Sequence, residues 1–251
     1  MQITFAGTGD GRGVPAVGCQ CKLCDRARGE GGKNHRRRVS VIIRNGAETI
    51  LFDTPASVGE MLNEKRIFEI SAIFLSHKHY DHIAGITAFE YCSAKIPVYG
   101  NISVLGNFEI TDRLYEQCKF HVLHDRESVK VGRIKITPFD VSHKIPTFGL
   151  IFRYEDKRIV HFSDSGNTKL TDYQKLQVKQ AQLVIFHTVA WDGGTDHIDI
   201  ITVIKIAQRY PKTRFVITHI GHNASPHEEL VEKLSPYKNI TVAYDGMEVR
   251  I

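Results

Sequence analysis

Short apolar runs recur along the chain and predict buried strands, and more polar segments between several of them predict helices. The strands are predicted at residues 2–6, 39–44, 49–53, 70–75, 96–100, 134–141, 148–154, 158–162, 183–187, 215–218, 241–243 and 247–251. Helices are predicted at residues 57–66, 83–91, 171–180 and 226–234, with another after the loop 191–199. The dipeptide Asn45-Gly46 is the predicted turn of the hairpin formed by the second and third strands.

The alternation of strands with helices predicts an α/β fold. No composition break marks a linker, and polar residues that end strands come from both halves of the chain. We therefore expect a single domain over residues 1–251, made of two strand–helix halves that face each other with a site at their shared edge.

The polar stretch 76–82 follows one of these apolar runs and contains three histidines and an aspartate. His77 and His79 point the same way along an extended chain, because side chains alternate between the two faces. After the chain turns, Asp81 and His82 can reach a second point close by. Imidazole and carboxylate are ordinary ligands of zinc, manganese and iron, so this stretch predicts two adjacent metal ions.

Later strands end in residues that would complete such a site. His143 follows the strand 134–141 and is the expected third histidine beside His77 and His79. Asp164 follows the strand 158–162, where a carboxylate could bridge two cations ~3.5–4 Å apart. His219 follows the strand 215–218 and is the expected last ligand of the second ion.

The sequence allows more than one role for each of two further histidines. His187 ends a strand and could be a ligand, but we favour a place behind the ligands because their set is complete without it. His197 follows a glycine-rich loop and could protonate a leaving alkoxide, since imidazole titrates near neutral pH. A histidine that simply precedes a helix fits the sequence equally well.

The cluster Cys19-Gln20-Cys21-Lys22-Leu23-Cys24 is a three-thiolate corner suited to tetrahedral zinc, with free thiols or a redox pair as the alternative. The missing ligand is expected to be a histidine, and His222 is favoured over His227 and His35. Binding it would attach the N-terminal loop near 18–38 to a distant part of the fold.

Composition indicates which substrates and which cellular compartment to expect. The net charge of +5 favours anionic substrates but does not indicate nucleic-acid binding. No apolar run is long enough to cross a membrane and no secretory signal precedes the first strand, so we expect a cytoplasmic protein.

The basic segment 29–38 is interpreted as a solvated loop, or as a mobile rim that carries Arg36, Arg37 or Arg38 toward a phosphate. The glycines of residues 7–13 predict a tight turn near the site.

The spacing His-x-His-x-Asp-His after a strand resembles the metallo-β-lactamase-fold hydrolases. The resemblance extends over the chain and implies a four-layer αβ/βα sandwich, with two facing β-sheets flanked by helices. It also implies that one metal is held by His77, His79 and His143, that the other is held by Asp81, His82 and His219, and that Asp164 bridges them.

A narrower likeness is to the phosphoribosyl cyclic phosphodiesterases of phosphonate degradation. It rests on Gly7-Thr8-Gly9, Gly13-Val14-Pro15, the cysteine cluster, Thr218-His219-Ile220-x-His222 and Asp245-Gly246-Met247-Glu248. This likeness implies a structural zinc on Cys19, Cys21, Cys24 and His222, manganese in the active site, and His197 as the acid. His197 and Asp81 are the expected catalytic residues.

The expected activity is hydrolysis of phosphoribosyl 1,2-cyclic phosphate or a cyclic nucleotide by two divalent ions, zinc or manganese. The alternatives are a tRNA 3′-end endonuclease, which would need a basic insertion of ~50 residues that the sequence lacks, and a binding protein of the pyrroloquinoline quinone type. The expected partner is a small anionic phosphodiester, with neither membrane nor nucleic acid, and a homodimer is compatible with the sequence.

Overall fold

The strands form two mixed seven-stranded sheets within residues 1–92, 95–106 and 111–251, which this computed structural model describes. In spatial order, the first sheet contains β14 (Glu248–Arg250), β1 (Gln2–Gly7), β2 (Ser40–Asn45), β3 (Glu48–Phe52), β4 (Ala72–Phe74), β5 (Ile96–Gly100) and β6 (Cys118–Val122). The second contains β13 (Ile240–Val242), β12 (Arg214–Thr218), β11 (Leu183–His187), β10 (Lys157–His161), β9 (Thr147–Tyr154), β8 (Ile134–Val141) and β7 (Val129–Val131).

The two sheets share one pattern of strand directions. Strands β3 to β6 are parallel neighbours in the first sheet, and β10 to β13 are parallel neighbours in the second. The remaining neighbours in both sheets are antiparallel. Each half therefore brings the carboxyl ends of several strands to one edge, where open α/β sheets bind ligands.

The described helices flank the sheets or lie in the segments between strands. They are α1 (Lys22–Glu30), α2 (Val58–Glu64), α3 (Tyr80–Ile83), α4 (Ile102–Leu105), α5 (Asp112–Gln117), α6 (Asp172–Gln180), α7 (Ile200–Arg209) and α8 (His227–Leu234), with 3-10 helices at Gly32–Asn34 and Ala84–Tyr91. None of these helices in the described part of the chain is long and apolar enough to cross a bilayer.

Three apolar clusters hold the layers together. The central one joins the facing sheets and includes Phe5, Phe52 and Phe152, all at most 2% exposed. A second cluster packs α6, α7 and α8 against the second sheet, and a third packs α2, α4 and α5 against the first. Burial of these apolar surfaces is the main force that stabilises the arrangement. The αβ/βα sandwich that the resemblance implied is thereby confirmed.

Several elements begin where the sequence provides a cap. Thr171 and Gln174 form a capping box at the start of α6, and Asp199 accepts a hydrogen bond from Thr202 N at the start of α7. The hairpin turn differs by one residue from the prediction. Asn45 pairs with Glu48, so its two loop residues are 46–47, and Gly46 supplies a φ of 63°.

Two arginines of the segment 29–38 differ from both interpretations of it. Arg36 is 3% exposed and donates to Thr8 Oγ1 at 2.8 Å and to Ala243 O at 2.7 Å. Its guanidinium is therefore neither solvated nor free to bind a phosphate. Arg37 is also engaged, by Glu64 and Asp245.

Two other predictions needed correction. Cys24 lies inside the helix α1 and not in a loop. The short helix α3 begins inside the 76–82 stretch, and the predicted helix 83–91 is mostly a 3-10 helix, where a Cβ at Gly85 would come within 2.1 Å of Pro55 O. The elements α4, α5, β6 and β7 were not predicted.

Candidate metal centre

The ends of strands from both sheets meet at one place. Asp53 follows β3 and His77 lies just beyond β4 in the first sheet, while Asp164, His187 and His219 lie at or just beyond the ends of β10, β11 and β12. All five side chains are at most 2% exposed. Such a concentration of buried titratable groups is typical of a functional site.

Three non-glycine residues at these strand ends have a left-handed backbone. The φ angles are 63° at Asp53, 53° at Ser163 and 64° at His219. Such conformations cost on the order of 1–3 kcal/mol each and persist where the surrounding structure requires them. Here they turn the chain so that the carboxylate of Asp53 and the imidazole of His219 face the centre.

The first group of donors consists of His77, His79, His143 and Asp164, whose ligand atoms lie within 4.8 Å of one another. His77 Nε2 lies 2.9 Å from His79 Nδ1, and His143 Nε2 lies 3.4 Å from the same atom. The other ring nitrogen of His77 lies 2.9 Å from Ser76 Oγ, which fixes the ring orientation. The three histidines expected at the first metal are thus brought together.

The second group consists of His82, Asp164, His187 and His219, again within 4.8 Å of one another. Asp81 Oδ2 lies beside this group, 3.3 Å from His82 Nε2 and 3.6 Å from His219 Nε2. All ligands expected at the second metal are therefore at this place, and His187 is there as well.

Asp164 belongs to both groups. Its Oδ2 lies 3.4 Å from His77 Nε2, and its Oδ1 lies 3.6 Å from His219 Nε2. Burial raises the pKa of Asp164, but the nearby charges of His219 and His82 outweigh this and hold the pKa well below its usual range. The group is an anion that can be shared by two cations.

The nitrogen atoms around Asp164 fit divalent cations. Among the described residues, His82 Nε2, His187 Nε2 and both ring nitrogens of His219 are buried without a hydrogen-bond partner. An unpartnered buried polar atom is costly, so each such nitrogen requires an explanation. Imidazole nitrogens and carboxylate oxygens are the donors that zinc and manganese accept, and this donor set fits two such ions.

Asp53 orients one of the candidate ligands. Its Oδ2 lies 2.7 Å from His82 Nδ1 and accepts from Ser76 Oγ at 2.9 Å, while its Oδ1 accepts from Ser76 N at 2.8 Å. A carboxylate behind an imidazole fixes the tautomer, which here leaves His82 Nε2 free to bind a metal.

His197 lies at the border of the centre. Its Nε2 is 3.0 Å from Asp164 Oδ2 and its side chain is 18% exposed. The loop that carries it is fixed from two sides, since Asp196 O lies 3.0 Å from His143 Nδ1 and a Cβ at Gly194 would lie 2.3 Å from His197 O. The ring can therefore reach both the candidate ligands and solvent.

One histidine of this region was not expected here, and another lies beside a candidate ligand. His161 is buried against the ring of His187, and its Nε2 has no partner among the described residues. His187 Nδ1 lies 2.7 Å from Asp164 Oδ1, which makes it a direct neighbour of the ligands. The sequence signal for His161 is weak, because the residue lies inside the apolar run 158–162 and is followed by Phe162.

A separate cluster contains Cys19, Cys21, Cys24 and His222, whose ligand atoms lie within 4.8 Å of one another. His222 Nδ1 is 3.2 Å from Cys19 Sγ. The backbone N–H of Cys24 lowers the pKa of Cys21 to about 6, so this thiol ionises readily. Of the two alternative histidines, His227 contacts Arg36 instead.

The comparisons with known proteins agree with this architecture. The family model described as "Beta-lactamase superfamily domain" matches residues 48–220. An octanoyltransferase of Porphyromonas gingivalis is 25% identical over 267 residues, covering 100% of this chain and 52% of that protein. The chain thus spans about half the length of that relative.

Two solved structures have the same fold. A diphosphatase from the PhnP family has a TM-score of 0.87 at 24% identity, with 100% of this chain and 97% of that chain covered. Zinc-bound PqqB from Methylobacterium extorquens has a TM-score of 0.86 at 17% identity, with both chains fully covered.

Proposed function

The chain belongs to the beta-lactamase superfamily, and we propose that it is a dinuclear-metal phosphodiesterase that hydrolyses a small cyclic phosphodiester. The proposed substrates are phosphoribosyl 1,2-cyclic phosphate and cyclic nucleotides. The observation that carries the proposal is the position of Asp164, whose carboxylate lies 3.4 Å from a nitrogen of the first group and 3.6 Å from a nitrogen of the second.

The metal sites are assigned as follows. His77, His79 and His143 would hold one ion, Asp81, His82 and His219 would hold the other, and Asp164 would be shared by both. Two divalent cations, zinc or manganese, would neutralise phosphoryl oxygens and lower the pKa of a water molecule when bound. The cluster of Cys19, Cys21, Cys24 and His222 would hold a structural zinc.

The chain itself supplies the proton for the leaving group. During hydrolysis a water oxygen forms the new bond to phosphorus, and the P–O bond to the sugar breaks. His197 Nε2–H gives its proton to the departing oxygen. The 3.0 Å contact with Asp164 supports this role, because the carboxylate holds the ring with Nε2 toward the centre.

Arg38 supports an anionic substrate. Its Nε donates to Gly11 O at 2.8 Å, and a Cβ at Gly11 would lie 3.1 Å from Asp81 Oδ2. Gly11 therefore lies between the Arg38 guanidinium and the metal centre. No carboxylate of the described residues lies within 4.0 Å of it, so its other donors can bind a phosphate oxygen.

The test is a panel assay with Mn²⁺ and with Zn²⁺. The panel contains ribose 1,2-cyclic phosphate, 2′,3′- and 3′,5′-cyclic nucleotides, a nucleoside diphosphate and a precursor tRNA. We expect the highest kcat/KM on a cyclic diester. A preference for the precursor tRNA would support the endonuclease, and a preference for the diphosphate would support an activity like that of the PhnP-family diphosphatase.

A second candidate function is binding of a cofactor precursor without turnover. The structural similarity to PqqB is the observation that favours it. Absence of turnover on every member of the panel, with either metal, would support this function and refute the phosphodiesterase.

A further inference from the structure

A cavity of about 530 Å³ lies on the outer side of the second sheet, between the turn 167–170, the helix α6 and the helix α7. Its lining includes the cationic residues Lys169, Lys175, Lys205 and Arg209. None of its described lining residues is acidic, and none is a candidate metal ligand. The cavity is therefore a second polar site with strongly positive walls.

Most of this charge is not neutralised by the protein. Lys175 pairs with Asp172 at 2.8 Å on the exposed surface of α6. For Lys169, Lys205 and Arg209, no carboxylate within the described ranges lies within 4.0 Å. Three cations that face one cavity without counter-charges produce a potential that attracts an anion.

The helix α7 places two of these cations on one side. Lys205 and Arg209 are four residues apart, so they lie on the same face of the helix. Ile200, Val203 and Ala207 are buried on the other side, against the second sheet.

The remaining lining is suited to a phosphate attached to a ring. Thr168 and Thr202 add hydroxyl groups that can donate to phosphate oxygens, and Leu170, Ile206 and Tyr210 add apolar and aromatic surface. The volume lies within the range of roughly 300–1,000 Å³ that is usual for small-molecule sites. These groups match a ligand with one anionic end and one flat, mostly apolar end.

We propose that this cavity is an accessory binding site for a small phosphate ester that carries an aromatic ring, with nucleoside monophosphates as the ligand class. The proposal does not depend on the hydrolytic activity proposed above. The ligand phosphate contacts Lys169, Lys205 and Arg209, and its ring packs on Ile206 and Tyr210.

The cavity also adjoins the segment that carries His197. Asn167 lines the cavity, its backbone N–H donates to Thr195 O at 3.2 Å, and its Nδ2 donates to Asp199 Oδ2 at 3.0 Å. These two contacts fix the segment on either side of His197. A ligand in the cavity would therefore lie directly behind the loop.

The test uses pyridoxal 5′-phosphate, a phosphate ester with an aromatic aldehyde that forms imines with lysine. The metal-loaded protein is labelled at low reagent concentration, reduced with borohydride and mapped by mass spectrometry. We expect Lys169 and Lys205 to be modified at least tenfold more than Lys130 and Lys135. Those two control lysines are also exposed and face each other across β7 and β8, but line no cavity described above.

Protection identifies the ligand. Adenosine monophosphate should reduce labelling of Lys169 and Lys205 at concentrations at least tenfold lower than inorganic phosphate requires. In the double variant Lys169→Ala/Arg209→Ala, labelling of Lys205 should lose this protection. The variant Lys130→Ala/Lys135→Ala removes the same charge and should retain it. Equal labelling of all four lysines, or protection by phosphate and by the nucleotide at the same concentration, would overturn the proposal.

Discussion

Replacement of Asp53 by asparagine changes the group behind one candidate ligand without changing the size of the side chain. Asp53 is 2% exposed, and its Oδ2 lies 2.7 Å from His82 Nδ1. In Asp53→Asn, the side-chain oxygen can still accept from Ser76 N, but an NH₂ group faces His82. Since an NH₂ group donates, His82 Nδ1 must accept, and the remaining ring proton moves to Nε2. The nitrogen that faces the metal centre then has no lone pair for an ion.

The expected loss of metal affinity in Asp53→Asn follows from two effects that act in the same direction. Loss of a partner behind a ligating histidine weakens metal binding by about 10–100-fold, or about 1.4–2.8 kcal/mol. The negative charge of Asp53 also favours a cation at this place. Burial lowers the pKa of His82, but the charges of Asp164 and Asp53 raise it well above its usual value. The field that stabilises an imidazolium there stabilises a metal ion as well.

The assay is a competition between the protein and a chelator, which gives the dissociation constant of the weaker ion. Asp245→Asn is the matched control, because Asp245 is also a largely buried carboxylate but accepts from Thr8 Oγ1 and Arg37 N, without a histidine. Both variants should lose about 1–3 kcal/mol of unfolding free energy. An unchanged metal dissociation constant in Asp53→Asn, or an equal change in both variants, would refute the reasoning.

Three further predictions address other parts of the account. His197→Ala should retain its metals and its rate on bis(4-nitrophenyl) phosphate but lose about 10²–10⁴-fold in kcat on natural-type esters with poor leaving groups. The exposed control His124→Ala should keep both rates, and a parent-like rate of His197→Ala on natural-type esters would contradict the acid role. Cys24→Ser should lose one zinc that survives mild chelation in the parent, as measured by element analysis, and full retention would exclude the structural site. Burial and the charge of Arg36 lower the pKa of His227 to about 4, so the unfolded chain binds more protons than the folded chain between that value and about 6.5. The free energy of unfolding should therefore fall by up to about 3 kcal/mol as pH drops through this window. Urea titrations at several pH values should show a shallower fall for His227→Gln. An equal fall in the parent and in the variant would contradict this.

The strand ends were the part of the site that could be predicted from sequence. His77, Asp164 and His219 each follow an apolar run, and parallel strands bring such positions to one edge. Periodicity therefore predicted which residues would meet without knowledge of the sheet order. His161 was missed because it lies inside the apolar run 158–162 and has no ligand spacing with its neighbours.

Other features depend on contacts between residues distant in sequence. The burial of Arg36 requires Thr8 Oγ1 and Ala243 O, which lie 28 and 207 residues away. A run of three arginines ordinarily predicts a solvated segment, so local composition pointed the wrong way. The helix α1 was missed because glycine and cysteine are poor helix formers, and it is held by the packing of Leu23 and Ala27 against Val14.

The most direct test of the central claim is the rate of bis(4-nitrophenyl) phosphate hydrolysis as Mn²⁺ is added to protein that retains only its tightly held zinc. The bridging position of Asp164 predicts that turnover rises to its maximum at two added ions per chain and is lost in Asp164→Asn. Full turnover at one added ion, or none at any metal concentration, would contradict a dinuclear phosphodiesterase.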